Sequence, residues 1–264
     1  MKLSYYSNEF QVAEIAARTA GRAILHRIGP LEQEWKGRID PVTAADRESE
    51  QIILTFIRDA FPLDIIVSEE SNPIAEENVR GKRRWYVDPL DGTVNFSRNN
   101  PHWCVSIAFV DESDTAQAAV VYAPKCNELY GAVRGQGATL NGESIRVSGT
   151  DRMDRAVLAS GFPYSFDNPD RTNLKEWSML TPHALTVRCW GAAAKDLCEV
   201  ARGRIDGFWE LELERWDITA GAFICSEAGA RVTDLSGKPV AGPSRDIMAA
   251  NPGLHAAMME LLSR

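Results

Sequence analysis

Two carboxylates and a glycine-led turn stand close together in Asp88-Pro89-Leu90-Asp91-Gly92-Thr93-Val94. The preceding Trp85-Tyr86-Val87 is a short aromatic and β-branched run, which reads as a buried strand. Pro89 offers no N–H to a ladder and holds Asp88 extended, so the strand is expected to end at the Asp-Pro step. Asp88 and Asp91 would then lie at its carboxyl end, with a turn between them. Gly92 lets the backbone turn tightly or approach a ligand closely, and the amides of Gly92, Thr93 and Val94 could converge on an anion. Hard carboxylate oxygens beside such amides suit Mg²⁺ and phosphate held together. In isolation, the favoured reading of Asp-Gly is a turn with solvated acids.

Further acids occupy comparable places. Asp64-Ile65-Ile66-Val67-Ser68 reads as a strand running into Glu69-Glu70. Asp217 falls at the start of a helix, where free amides and the macrodipole favour negative charge, so a helix cap is the plain reading. The four histidines (26, 102, 183, 255) are scattered, with no zinc-ligand pair. No Gly-x-Ser-x-Gly elbow is present. His102 reads as a surface or packing residue.

The elements that must position these groups follow from periodicity. Residues 8–27 pattern as an amphipathic helix capped by Asn8, with Phe10, Ala13, Ala17, Ala20 and Ile24 on one face. Leu31–Asp40 is polar and reads as a mobile loop. A second helix begins at Thr43, with Asp46 in its first turn and Ile52, Ile53, Phe56 and Ile57 inward, and Phe61-Pro62 closes it. Strands are expected at 103–110, 116–122 and 128–133, and the glycine-rich stretch 135–142 as hairpin geometry. Beyond about residue 150, strands (156–160, 186–189, 205–209, 247–250) alternate with helices (173–180, 192–202, 216–228, 254–262). On the helix after Gly191, Ala194, Leu197, Cys198 and Ala201 form an apolar stripe. Lys195 lies beside it, so the spacing points that lysine to solvent, paired with Glu199.

Of the 264 residues 44% are hydrophobic, enough for a large core. The net charge of −8 argues against nucleic-acid or anionic-membrane binding. The one basic cluster, Arg80-Gly81-Lys82-Arg83-Arg84, reads as a solvated loop. The five cysteines form no Cys-x-x-Cys pair, which fits reduced thiols in a cytoplasm. No apolar run approaches a membrane span, and the N-terminus does not read as a signal peptide. No linker or repeat divides the chain. The expectation is one compact domain over 1–264, with an α+β half (about 1–149) and an α/β half (about 150–264).

The unbroken run Trp85–Phe96, continued through Pro101 and Val105-Ser106-Ile107, strongly resembles the inositol monophosphatase family motif W-x-(I/V)-D-P-(I/L)-D-G-T-x-N-F. Ser68-Glu69-Glu70-Ser71 resembles its G-E-E-S element, with serine for glycine. Trp216-Asp217-Ile218-Thr219-Ala220-Gly221, with Glu227-Ala228-Gly229 behind, resembles W-D-x-A-A-G and E-A-G-G, departing at Thr219 and Ala230. Arg188–Ala194 resembles R-x-x-G-(S/T)-A-A, with Ala192 lacking the usual hydroxyl. The likeness runs from Asp40-Pro41-Val42-Thr43 to the final helix.

The resemblance implies an α+β, layered αβαβα sugar-phosphatase fold, commonly homodimeric. It implies hydrolysis of a small polyol phosphate monoester dependent on two or three Mg²⁺ ions and sensitive to lithium. In that reading Glu69, Asp88, the Leu90 carbonyl, Asp91 and Asp217 hold the metals. Thr93, paired with Asp46, helps Glu69 activate water, and the Gly92 and Thr93 amides hold phosphate. Asp91, Asp217, Ala193 and Glu210 face the substrate. Inositol monophosphate leads as substrate. The alternatives are fructose 1,6-bisphosphate, histidinol phosphate and 3′-phosphoadenosine 5′-phosphate, since lysine at 195 is more familiar in the last branch. A non-catalytic regulatory protein that binds metal or phosphate is the alternative outside enzymes.

Overall fold

The computed structural model describes residues 7–27, 34–35, 41–42, 44–71, 73–164, 168–240 and 245–263. Helices α1 (Ser7–Leu25) and α2 (Ala44–Ala60) flank an antiparallel pair, β1 (Glu34–Trp35) and β2 (Pro41–Val42). The expected loop 31–40 thus contains a short strand. Asn8 lies inside α1 and not ahead of it. Asp40 and Thr43 fall outside the described residues.

A seven-stranded sheet follows: β3 (Ile65–Ser68), β4 (Arg84–Asp91), β5 (Cys104–Val110), β6 (Ala116–Ala123), β7 (Glu128–Val133), β8 (Ala138–Leu140) and β9 (Glu143–Ile145). Short helix α3 (Thr93–Ser97) separates β4 from β5. Only β3 and β4 pair in parallel; each later neighbour is antiparallel. The expected glycine-rich hairpin is the β8–β9 turn, where Asn141 and Gly142 both take positive φ.

The second half builds a five-stranded sheet from β10 (Val157–Ser160), β11 (Thr186–Arg188), β12 (Gly207–Glu210), β13 (Arg231–Thr233) and β14 (Ile247–Ala250), in the order β11-β10-β12-β14-β13. Its helices are α4 (Leu174–Leu180), α5 (Ala193–Ala201), α6 (Arg215–Glu227) and α7 (Pro252–Leu262). Strand β13, a three-residue piece after Gly229, is absent from the sequence reading.

The layers explain the burial patterns. Helices α1 and α2 cover one face of the large sheet through Ala13, Ala17, Ala20, Ile53 and Ile57. The contact is close enough that a Cβ on Gly21 would stand 2.6 Å from Pro124 Cγ. Helices α5 and α6 fill the space between the two sheets, in a core cluster drawn from both halves of the chain. Helices α4 and α7 cover the outer face of the small sheet. This is the α+β layered order αβαβα. Strand β4, covered on both faces, is buried along its whole length, Arg84, Asp88 and Asp91 included.

Candidate active site

The carboxyl end of β4 does not stop at Asp88 as expected. It continues to Asp91 through a bulge: pairing with β5 shifts register between Asp88 and Asp91. Pro89 is tolerated because a bulged residue owes no N–H to the ladder. The bulge is pinned on each side. Ser49 Oγ of α2 donates to the Pro89 carbonyl at 2.7 Å, and the Leu90 amide donates to Asp88 Oδ1 at 2.9 Å. It brings Asp88, the Leu90 carbonyl and Asp91 to one edge. Gly92 then takes φ +92°, and a Cβ there would stand 3.1 Å from Ala192 Cβ and from the His102 carbonyl. A side chain at this position would be strained by the φ and crowded by both neighbours.

Two contacts from α2 serve this edge. Thr93 Oγ lies 3.0 Å from Asp46 Oδ1 and 3.2 Å from the Leu90 carbonyl, so the expected Thr93–Asp46 pair is formed. One turn along α2, the buried Glu50 accepts from Ser68 Oγ and, through the same Oε1, from the amides of Glu70 (3.2 Å) and Ser71 (3.0 Å). Glu50 therefore shapes the loop that carries Glu69. The sequence reading missed it, although its place four residues after Asp46, on the same face of the helix, was a usable signal.

The other half supplies three more groups. Asp91 accepts from the amides of Ala193 (3.1 Å), Ala194 (2.9 Å) and Lys195 (3.3 Å). A carboxylate from β4 thus satisfies the orphan donors at the start of α5, whose own N-cap, Ala192, cannot. Ala193 takes part through its amide. Asp217 stands at the third position of α6, where its Oδ2 accepts from the Glu214 amide at 2.7 Å and Glu214 reciprocates. The N-cap is Glu214, and Asp217 is its capping-box partner. Ser106 Oγ of β5 donates to the Trp216 carbonyl at 3.3 Å and ties this helix start to the large sheet. Glu210, at the end of β12, lies against Gly161 so closely that any Cβ there would clash with its carboxylate.

On the same side, His102 Nε2 lies 2.7 Å from the buried Asp196 of α5, and the His102 ring packs on Trp190 at 5.1 Å. His102 is therefore half-buried, held by the Asp196 carboxylate as well as by packing. Asn95, also missed from the sequence, donates through Nδ2 to the carbonyls of His102 (2.8 Å) and Trp190 (2.6 Å).

The electrostatics of these acids share one pattern. Burial, and then the charges of Glu69, Asp91 and Asp217, push the Asp88 carboxyl well above the usual range. Burial lifts Asp91 to about 6, against the Cys104 thiol and the Lys195 amide, which favour its anion. Asp217 is raised by burial and by Glu69, and Glu210 by burial and by Asp196 and Asp217. Four acids, Glu69, Asp88, Asp91 and Asp217, thus act on one another through like charge. Among the described residues no three His, Cys, Asp or Glu side chains form a ready-made metal cluster. The donor chemistry nevertheless fits a hard divalent cation: carboxylate oxygens plus one backbone carbonyl, with repulsion that such an ion would relieve.

Two further expectations fail. Lys195 does not point to solvent: it is 1% exposed, with Nζ at 2.9 Å from Glu128, at 3.4 Å from the Tyr130 hydroxyl and in short contact with Glu199. The apolar stripe misled because α5 lies between two sheets and is buried on every side. The basic cluster is likewise no solvated loop throughout. Arg84 is buried in β4, its Nε donating to the Tyr86 hydroxyl at 2.8 Å, and Arg83 pairs with Asp64 and Glu9.

Comparison with known proteins places this geometry among relatives. The profile of the inositol monophosphatase family matches residues 6–264. The chain is 39% identical over 251 residues to the Nus factor SuhB of Escherichia coli, covering 94% of this chain and 93% of that one. It is 35% identical to the chloroplastic phosphatase IMPL1 of Arabidopsis thaliana, covering 96% of this chain and 69% of that one. Among solved structures, an inositol monophosphatase from Anabaena superposes with a TM-score of 0.88 at 34% identity, covering 98% and 97% of the two chains.

Proposed function

The chain belongs to the inositol monophosphatase family, and from that premise we propose that it hydrolyses the phosphate monoester of a small polyol, inositol monophosphate first, with Mg²⁺. Such families are generally metal-dependent phosphatases. The observation that carries the reading is the meeting of Asp88, the Leu90 carbonyl, Asp91 and the Thr93–Asp46 pair on one bulged strand end. Glu69, Asp88, Leu90, Asp91 and Asp217 would hold the ions. Bound Mg²⁺ would lower the pKa of water and neutralise charge on the phosphate.

The remaining roles belong to the chain. Thr93, by donating its proton to Asp46, keeps its lone pairs directed to accept one from water, and Glu69 shares that task. The first amides of α3, from Gly92 and Thr93, lack intrahelical partners and would hold phosphate oxygens. Asp217 and Glu210 would receive the hydroxyls of the alcohol, and the Ala193 amide fixes Asp91 between the two halves. The implied number of ions is two or three.

Relatives named Nus factor support a second reading, a regulatory protein in which the site binds metal or phosphate without turnover. Phosphate release with Mg²⁺ from a panel of inositol monophosphate, fructose 1,6-bisphosphate, histidinol phosphate and 3′-phosphoadenosine 5′-phosphate separates the readings. The proposal expects turnover, greatest on inositol monophosphate. Release from none of them favours the regulatory reading.

A further inference from the structure

A cavity of about 350 Å³ lies between the start of α6, the edge strand β3 and the segment leading to β4. None of Glu69, Asp88, Asp91 and Asp217 lines it. A second, of about 270 Å³, shares Glu76 and Arg215 with it. Together five arginines line the two spaces (80, 84, 134, 215 and 245) against three carboxylates, in a protein whose net charge is −8.

The carboxylates are already engaged. Glu76 takes the Tyr86 hydroxyl and Arg84, and Asp114 takes Arg84 at 2.9 Å. Glu214 takes Arg245 at 2.8 Å and an α6 amide through the capping box. Arg215 stands apart from these pairs. Its Nε and Nη1 are buried and form no hydrogen bond. Its guanidinium lies 5.7 Å from the centre of the Tyr86 ring, a face that attracts the charge but leaves the N–H fork unused. Buried donors of this kind normally have a partner, and an exception needs an explanation.

We infer that the cavity is a binding site for a small organic oxyanion, held by the fork of Arg215. A guanidinium offers parallel N–H groups that match a carboxylate or a phosphate-type group bidentately. The walls add a second requirement. Val67, Ile74, Leu213 and Trp216 are apolar or aromatic, so the anionic group is carried on an apolar or planar body. Because Arg215 opens the helix that bears Asp217 two residues on, occupancy here would bear on the placement of that acid.

The test is calorimetric titration of the Mg²⁺-loaded protein with benzoate, as the carboxylate probe, and phenyl phosphonate, as the phosphate-type probe, at constant ionic strength set by chloride. The wild type is expected to bind at least one probe, and the probe bound identifies the group. Arg215→Gln is expected to weaken that binding at least tenfold. Arg215→Lys, which keeps charge and loses the fork, supplies the comparison should the glutamine variant fold poorly, and is also expected to bind less tightly. Equal binding by wild type and variants, or binding of neither probe, overturns the proposal. So does a crystal structure in which Arg215 pairs with a carboxylate of this chain or of a second copy.

Discussion

At the residue scale, the proposed roles of Thr93 in water activation and of Asp217 in cation binding can be tested apart. Thr93→Ala removes the hydroxyl bonded to Asp46 and leaves every carboxylate in place. Turnover is expected to fall by about 10² or more, with little change in the Mg²⁺ concentration for half-activity, because general-base steps contribute on this order. Steady-state kinetics across a Mg²⁺ series checks it. Asp217→Asn keeps an oxygen for the Glu214 amide, so the helix start should survive and melting should shift little. Its Mg²⁺ requirement should rise sharply. Normal turnover at the wild-type Mg²⁺ requirement would reduce Asp217 to a capping role.

The acids also set a pH dependence. Asp91 is raised from 3.8 to about 6 in the folded chain, so between those values the native state holds more protons than the unfolded one. Stability without metal therefore falls as pH rises through that window. A cation that replaces those protons reverses the trend. The rise in melting temperature on adding Mg²⁺ is expected to be larger at pH 7 than at pH 4.5, measured by thermal unfolding.

At the scale of elements, the sequence was most legible where periodicity and motif agreed. The amphipathic α1 and α2 and the strands β5 to β7 lie within a residue or two of their expected places. Asp88, Asp91, Glu69 and Asp217 stood out as acids at strand ends and a helix start, and the motifs gathered them into one proposed site. What was not legible depends on which layer an element occupies. The bulge in β4 needs the register of β5, which no local pattern encodes. Lys195 looked exposed because helical spacing reports one stripe and cannot report a second sheet on the opposite side. Glu128, held down at about 2 by the Lys195 bond despite its burial, shows how firmly that network is engaged. Lys195→Ala would remove the buried cation between Glu128 and Glu199 and leave them to Arg202 and Arg204, costing roughly 1–3 kcal/mol on denaturant unfolding. Kinetics on inositol monophosphate and a bisphosphate should change in parallel. A loss confined to the bisphosphate would place the ammonium at the substrate instead.

At the scale of the molecule, the site needs both halves of the chain. Asp91 of the large sheet fastens the start of α5, and Ser106 of that sheet fastens the start of α6. The core cluster between the sheets draws on residues 104–138 and 159–249 alike. We propose that the halves unfold as one unit, as a homodimer by family expectation. Sedimentation would give the oligomeric state. Hydrogen exchange would show α2 and α5 opening with one free energy; separate openings would divide the domain.

We propose that one cluster of acids holds the cation on which hydrolysis depends. Phosphate release from inositol monophosphate, followed with Mg²⁺, with EDTA and in Asp88→Asn, tests it most directly. Release with Mg²⁺ that is abolished by EDTA and falls by a factor on the order of 10³ in the variant is the predicted result. Undiminished release in EDTA, or by Asp88→Asn, would contradict it.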